Sequence, residues 1–341
     1  MLNLQAHAPI HLPEFTRPIL TIVVDTEEEF DWSQPFDRRN VSVKAIAAQP
    51  LAHERVFDKH GVVPTYVIDW PVATTPSSIA VLKPLLDEGR CNIGTHLHPW
   101  VSPPHEEDVN AFNSYAGNLP RELEFEKLRQ LTEAITVNFG RAPKVFKAGR
   151  YGVGPNTAEI IAQLGYAIDA SVVPYTDMTA DGGPNFASHG PSMYWFSANG
   201  RRMMEQPATA AYGGWLHHQG PWLHKLLMTR PARRMRLPGI ASKTGMLERV
   251  KITPEGYTLD ELKRATRCLI RGGERYVGLT YHSPSLQPGH TPYVRNAHDL
   301  DQFLGTLDGY IEFFKSELNG VVMSSEALYI NMTHQSTCTA A

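Results

Sequence analysis

Ile19-Leu20-Thr21-Ile22-Val23-Val24-Asp25 is a continuous, mostly β-branched run that ends on an acid. Without polar alternation, it reads as a strand buried on both faces, which is what a parallel sheet contains. The acids that follow, in Thr26-Glu27-Glu28-Glu29-Phe30-Asp31-Trp32, fall at the carboxyl end of that strand, where α/β sheets place their sites. Outward from it the chain alternates. A helical stretch from about Ser42 to Lys59 precedes a strand at Pro64 to Asp69, and a helix capped by Ser77 stops at Gly89 before the strand Cys91 to Thr95. An amphipathic helix from Pro120 to Gly140 leads to the strand Lys144 to Ala148, and a helix near Pro155 leads to the strand Gly165 to Ser171. After a loop-rich region with short strand candidates at Met193 to Phe196 and Met203 to Gln206, a helix from Thr258 to Arg271 precedes Tyr276 to Tyr281, which ends at His282, and the last helix runs from Asp299 to Glu317. Strand and helix in alternation imply parallel strands with helical crossovers. With about seven or eight strand candidates, the expected fold is α/β, a distorted or incomplete (β/α) barrel. Residues 1–17 read as an N-terminal arm, 18–330 as one barrel domain with a loop-rich insertion around 172–256, and 331–341 as a disordered tail.

The 341 residues carry 32 basic and 35 acidic side chains, a formal charge of −3, which argues against a nucleic-acid-binding surface. The three cysteines, Cys91, Cys268 and Cys338, suggest neither a disulfide framework nor a metal knuckle, so a reducing compartment is expected. The N-terminus lacks the basic and apolar regions of a secretory signal, and a cytoplasmic protein is expected.

The chemistry concentrates in Ile93-Gly94-Thr95-His96-Leu97-His98-Pro99-Trp100. Residues i and i+2 of a strand share a face, so His96 and His98 can meet at one point, and an acid from a neighbouring strand end can complete a site for zinc or a similar divalent ion. Gly149-Arg150-Tyr151-Gly152-Val153-Gly154 lacks the spacing of a phosphate loop and reads as a tight turn. Trp100 and Trp215, next to turn residues, are candidates for stacking on a ligand, and Trp222 reads as core. From Lys225 to Lys251, Lys225, Arg230, Arg233, Arg234, Arg236, Lys243, Arg249 and Lys251 face only Glu248. That basic stretch is a candidate for contact with an anionic substrate carrier or a membrane surface.

Five stretches in order, Val23 to Glu27, Ile93 to His98, Phe146 to Gly152, Gly165 to Ser171 and Leu279 to His282, resemble the motifs of the polysaccharide deacetylase superfamily, which shares the NodB homology domain, and the chain looks most like its cytoplasmic WalW-like branch. Three features depart from the usual pattern. The two acids are Asp25 and Glu27 instead of adjacent aspartates, the histidines are two apart instead of four, and Lys147 stands at the usual arginine, with Arg150 nearby. The resemblance implies a metal-dependent hydrolase that removes acetyl groups from a carbohydrate, such as a surface-polysaccharide or lipopolysaccharide precursor carried on a lipid or nucleotide. It implies Asp25 as general base, with Lys147 or Arg150 orienting it, and His282 as general acid. One divalent ion, zinc first among the choices, would be held by Glu27, His96 and His98, with Asp25 the alternative carboxylate ligand. Trp100, Tyr151 and Trp215 would meet the substrate. The competing readings are a noncatalytic glycan-binding barrel and a hydrolase of a small non-sugar amide, as in allantoinase-like relatives. Oligomeric state is not legible in the sequence.

Overall fold

The computed structural model describes residues 2–12, 16–30 and 34–338, without the side chains of 230, 233, 238, 242 and 335–338. Asp31 and Trp32 of the acidic run lie outside the described residues. Twelve strands are present among the described residues: β1 (Ala8–Pro9), β2 (Ile19–Thr26), β3 (Thr65–Ile68), β4 (Asn92–Leu97), β5 (Val145–Ala148), β6 (Ile168–Asp169), β7 (Tyr194–Ala198), β8 (Arg201–Glu205), β9 (Ala210–Gly213), β10 (Glu248–Lys251), β11 (Tyr276–His282) and β12 (Val321–Val322). The main sheet runs β1-β7-β8-β6-β5-β4-β3-β2-β11, with β12 added beside β2. From β8 to β11 every neighbouring pair is parallel, and β1 and β7 extend that run antiparallel. The sheet curls into an incomplete barrel, as the alternation of strands and helices predicts.

Strand alternation sorts the side chains into two layers. On one face, Leu20, Ile22 and Val24 of β2, Tyr66 and Ile68 of β3 and Val277, Leu279 and Tyr281 of β11 join helix residues such as Leu82, Leu128, Ile160 and Phe303 in one large apolar cluster. Fully burying one such side chain contributes roughly 1.5–3 kcal/mol, so this layer is the main source of stability. The concave face holds a smaller cluster of Val23, Val67, Val145, Ile168 and Ala170. Continuing along that face toward the carboxyl ends of the strands, the same period brings up Asp25, His96, Lys147, Thr280 and His282. In the ladders His282 lies opposite Asp25 and Lys147 opposite His96.

The barrel does not close through a β8–β11 ladder. The gap is bridged by the base of the antiparallel β9–β10 hairpin: Thr209 N donates to Gly278 O (3.0 Å), Ile252 N to Thr209 O (2.9 Å) and Thr280 N to Ile252 O (3.2 Å). The region around 172–256, expected to be loop-rich, thus carries β7 to β10, and between β9 and β10 it holds the short helices Gly220–Leu227, Arg230–Arg234 and Leu237–Lys243. The expected disordered tail is also different. A helix spans Ser325–Cys338 and buries Leu328 and Met332 against Ile19, Trp195 and Met204, because this face of the sheet would otherwise be uncovered. Residues 339–341 lie outside the described residues. No helix among the described residues is long and apolar enough to cross a membrane.

Candidate active site

The carboxyl ends of β2, β4, β5 and β11 meet in a cleft of about 430 Å³ that Asp25, Glu27, His96, His98, Tyr151 and His282 help to line. Glu27 lies just past β2, with its backbone N–H donating to Ser283 Oγ (3.2 Å), and it keeps the inward phase of Asp25. Both His96 Nε2 and His98 Nε2 lie 3.5 Å from Glu27 Oε2. The other ring nitrogens are engaged elsewhere: His96 Nδ1 with Lys147 O (3.1 Å) and His98 Nδ1 with Glu28 Oε2 (2.8 Å). These second contacts fix each imidazole with Nδ1–H as donor and leave the Nε2 lone pairs facing Glu27. Burial is the main reason both histidines titrate below their ordinary range, so both are neutral, the form a metal takes.

The donor set fits a divalent ion. Glu27 Oε1 is buried with no hydrogen-bond partner, and burial first, then Glu28 and Asp25, push its carboxyl up to about 8 against the pull of His282 and His98. Such an oxygen lacks a partner that a cation would provide. A tetrahedral zinc site with bonds of about 2.0–2.1 Å sets its donors roughly 3.4 Å apart, close to the spacing seen. Glu27, His96 and His98 therefore form a candidate metal-binding group.

Behind this group stands a second layer. Trp100 Nε1 donates to Glu28 Oε1 (2.8 Å), the indole stacks on the His98 ring at 4.2 Å, and Glu28 N donates to Asp69 Oδ2 (2.7 Å). Burial and the neighbouring Glu28 hold Asp69 well above the ordinary carboxylate range. Trp100 is only 1% exposed, so it buttresses His98 instead of presenting a stacking face to a sugar. Gly149 completes the arrangement, since a Cβ there would lie 2.2 Å from His98 Cδ2 and 2.6 Å from Leu97 O.

Asp25 faces Lys147, whose Nζ donates to Oδ1 (2.5 Å) and Oδ2 (2.8 Å) and to Thr280 Oγ1 (2.9 Å). Burial pushes Asp25 up, but Lys147, with His96 and His282, outweighs it and holds the carboxylate below its ordinary range. Lys147, not Arg150, is thus the cation at Asp25. Arg150 lies on the cleft wall, donating to Ser114 Oγ and stacked over Tyr115 at 4.1 Å and Phe36 at 5.0 Å. The expected tight turn places Arg150 at φ 54° and Tyr151 at φ 58°, consecutive left-handed residues that aim Tyr151 into the cleft.

His282 Nε2 is 3.9 Å from Asp25 Oδ2. On its other side Glu255 accepts from His282 N (3.1 Å), contacts Nδ1 at 2.8 Å and accepts from Ser285 Oγ (2.6 Å). Burial lowers the His282 pKa, but Glu255, then Glu27 and Asp25, raise it to about 9. Glu255 and Glu28 were not singled out as site residues in the sequence, and Lys251 stood there only as one member of the basic stretch. The signals for them were faint: Glu28 adjoins Glu27, and Glu255 follows a strand of only four residues. Trp215 does not line the cleft and is 67% exposed, and Trp222, expected in the core, is 66% exposed.

No family model and no curated protein matches the sequence. The fold, a mixed α/β architecture with a curled, incomplete barrel sheet, is shared with solved structures of 17% identity or less. A candidate polysaccharide deacetylase from Mycobacterium smegmatis superposes with a TM-score of 0.51 at 17% identity, over 96% of this chain and 94% of that one. The PuuE allantoinase superposes with a TM-score of 0.54 at 14% identity, again over 96% and 94%. A 4-alpha-glucanotransferase from Thermococcus litoralis gives 0.51 at 12% identity, over 92% of this chain and 40% of that one. One fold here carries several activities, so the reaction has to be argued from the side chains.

Proposed function

We propose that this protein is a metal-dependent hydrolase that removes acetyl groups from a carbohydrate, such as a precursor of a surface polysaccharide or lipopolysaccharide. The observation that carries the proposal is the pair of imidazoles turning Nε2 toward Glu27 while Asp25 and His282 stand beside them in the same cleft. Glu27, His96 and His98 would hold one divalent ion, with zinc favoured by the nitrogen and oxygen donors. When bound, the ion supplies Lewis acidity, which polarises a carbonyl and lowers the pKa of water. Asp25, kept ionised by Lys147, accepts the proton of the attacking water. His282, kept protonated by Glu255, gives a proton to the departing amine or alkoxide. These two steps balance, because the proton taken at Asp25 Oδ2 and the proton given from His282 Nε2 leave the pair one proton transfer from its starting state. Tyr151 and Arg150 form the wall against which the sugar is positioned.

We further place the protein in the cytoplasm, with the helices between β9 and β10 resting on an anionic membrane where lipid-linked sugars reside. From Gly214 to Leu247 there is no acid, and Trp215, Trp222, Leu226, Met228, Met235 and Ile240 are exposed among the basic residues. Apolar side chains interleaved with Lys and Arg suit an anionic lipid interface. Arg249 and Lys251 are not part of that surface. Arg249 donates to Pro174 O (2.7 Å), and Lys251 lines the cleft.

The deciding experiment is elemental analysis of the purified protein coupled to acetate release from N-acetylated and O-acetylated glycans, with allantoin as a further substrate. One equivalent of divalent metal and metal-dependent acetate release are expected. Metal without turnover of any acetylated sugar would favour the noncatalytic reading, and turnover of allantoin alone would favour the amide hydrolase.

A further inference from the structure

Two ammonium groups approach the ring of Tyr151, Lys147 Nζ at 5.2 Å from its centroid and Lys251 Nζ at 5.4 Å. They are chemically unequal. Lys147 donates to Asp25 and Thr280, whereas the Lys251 ammonium makes no hydrogen bond or ion pair among the described residues. An ammonium has three donors, and a half-buried one without an acceptor is costly unless something in the cleft supplies it. Burial, then Arg249 and Lys147, push the Lys251 pKa down to about 8, which is the mark of a cation short of partners. Its position is fixed by the fold. Lys251 ends β10 and pairs with Ala210 of β9, at the hairpin base that plugs the barrel gap. The same turn, four residues on, supplies the carboxylate that holds His282.

Acids do line the cleft, but they are not available to Lys251. Asp25 is bound to Lys147, Glu27 belongs to the candidate metal group and Asp181 is exposed at the rim. Arg150 lines the same cleft and also has no carboxylate partner among the described residues. We infer that the substrate carries an anionic group, a carboxylate or a phosphate, close to its acyl group, and that Lys251 is the residue that binds it. The two distances to Tyr151 put the ammonium groups of Lys147 and Lys251 within about 11 Å of each other. The anion therefore sits on the sugar unit that bears the acetyl group or on the group joined directly to it. Lysine offers a compact point charge and imposes no planar, two-pronged geometry, so it accepts either anion. This inference rests on the hydrolytic reading of the site, and its test is built to separate the two.

The test compares the zinc-loaded wild type with Lys251→Met and Lys251→Arg on three acetylated substrates: a neutral hexosamine oligomer, a uronate and a sugar 1-phosphate. The readout is the ratio of kcat/KM for each anionic substrate to that for the neutral one. In Lys251→Met the ratio should fall by about ten- to a hundredfold, the range of one charge-assisted hydrogen bond, and Lys251→Arg should restore much of it. The arm that shows the larger fall tells carboxylate from phosphate. A wild type without preference for either anion, or a ratio unchanged in Lys251→Met, overturns the inference. If none of the substrates is hydrolysed, the hydrolytic reading fails, and calorimetric titration with inorganic phosphate and with glucuronate decides the anion site alone. Weaker binding of one of these by Lys251→Met supports it, and equal or undetectable binding by both proteins overturns it.

Discussion

Glu255 grips His282 twice, accepting from its backbone N–H and from its ring Nδ1–H, and so aims Nε2 at the cleft. Because Glu255 is the largest influence opposing burial, the imidazole is a cation at neutral pH and is deprotonated only as the pH rises through about 9. An acid that works protonated gives activity below its pKa and loses it above. Glu255→Gln should therefore move the alkaline limb of kcat to lower pH and lower kcat at pH 8. Imidazole titration by NMR checks the shift, and an unmoved limb would rule out this coupling.

Glu28 and Trp100 act on the metal through His98. Removing an outer partner of a ligating histidine typically costs 10- to 100-fold in metal affinity. Glu28→Ala should weaken zinc binding by about that much, with Trp100→Phe weaker in effect, while His96→Ala abolishes stoichiometric binding. Competition with a chromophoric chelator measures all three, and wild-type affinity in Glu28→Ala would show that its contact with His98 is incidental.

Asp25 and Lys147 are a buried ion pair, and removing one member leaves the other without compensation. Lys147→Met should destabilise the protein by about 3–5 kcal/mol at pH 7 in denaturant unfolding. The loss should shrink in acid, where Asp25 takes up a proton and becomes neutral. Asp25→Asn should retain metal but lower the rate by about 10²- to 10⁴-fold. Near-normal turnover in Asp25→Asn would remove Asp25 from the mechanism.

Glu124 offers a pH test remote from the site. It is 1% exposed, its Oε1 accepts from Thr157, its Oε2 has no partner, and burial pushes its pKa from 4.5 to about 7. The folded state therefore holds a proton that the unfolded chain releases, and stability contributed below pH 4.5 is lost as the pH rises through 7. Glu124→Gln keeps the acceptor for Thr157 and removes this penalty. It should gain about 3 kcal/mol above pH 7 and almost nothing below pH 4.5. A gain independent of pH would point to some other cause.

The helices between β9 and β10 should carry the membrane contact. Trp222→Ala combined with Arg234→Glu and Arg236→Glu should weaken sedimentation with phosphatidylglycerol vesicles, since each basic residue near anionic lipid adds about 1 kcal/mol. Metal content should not change. Equal vesicle binding by variant and wild type at low salt would leave these helices a solvated cap.

The barrel was legible because β2, β4 and β11 are apolar runs ending in Asp25, the histidine pair and His282, and period-2 alternation brings those residues to one face. That rule also carried to His98, one residue past the end of β4. What stayed hidden depends on contacts between distant segments. Lys251 ends a hairpin of four-residue strands and was legible only as one charge of a basic stretch, while Glu255 lies four residues past that hairpin in a turn with no pattern of its own. Trp100 looked like a sugar platform because its neighbours are turn residues, and only the position of Glu28 shows why the indole points inward. The terminal helix escaped notice because it has almost no amphipathic bias of its own and is held by the sheet face it covers.

Gly149 carries the last consequence. Since even a methyl at this position would strike the His98 ring, the spacing of the histidine pair and the absence of a side chain at 149 are one inherited unit, although β4 and β5 are far apart in the chain. A library that randomises 149 should return glycine alone even where residue 98 is varied with it, because the Leu97 carbonyl oxygen would still stand 2.6 Å from an added methyl. Among distant homologues, position 149 should therefore stay glycine whatever stands at 98.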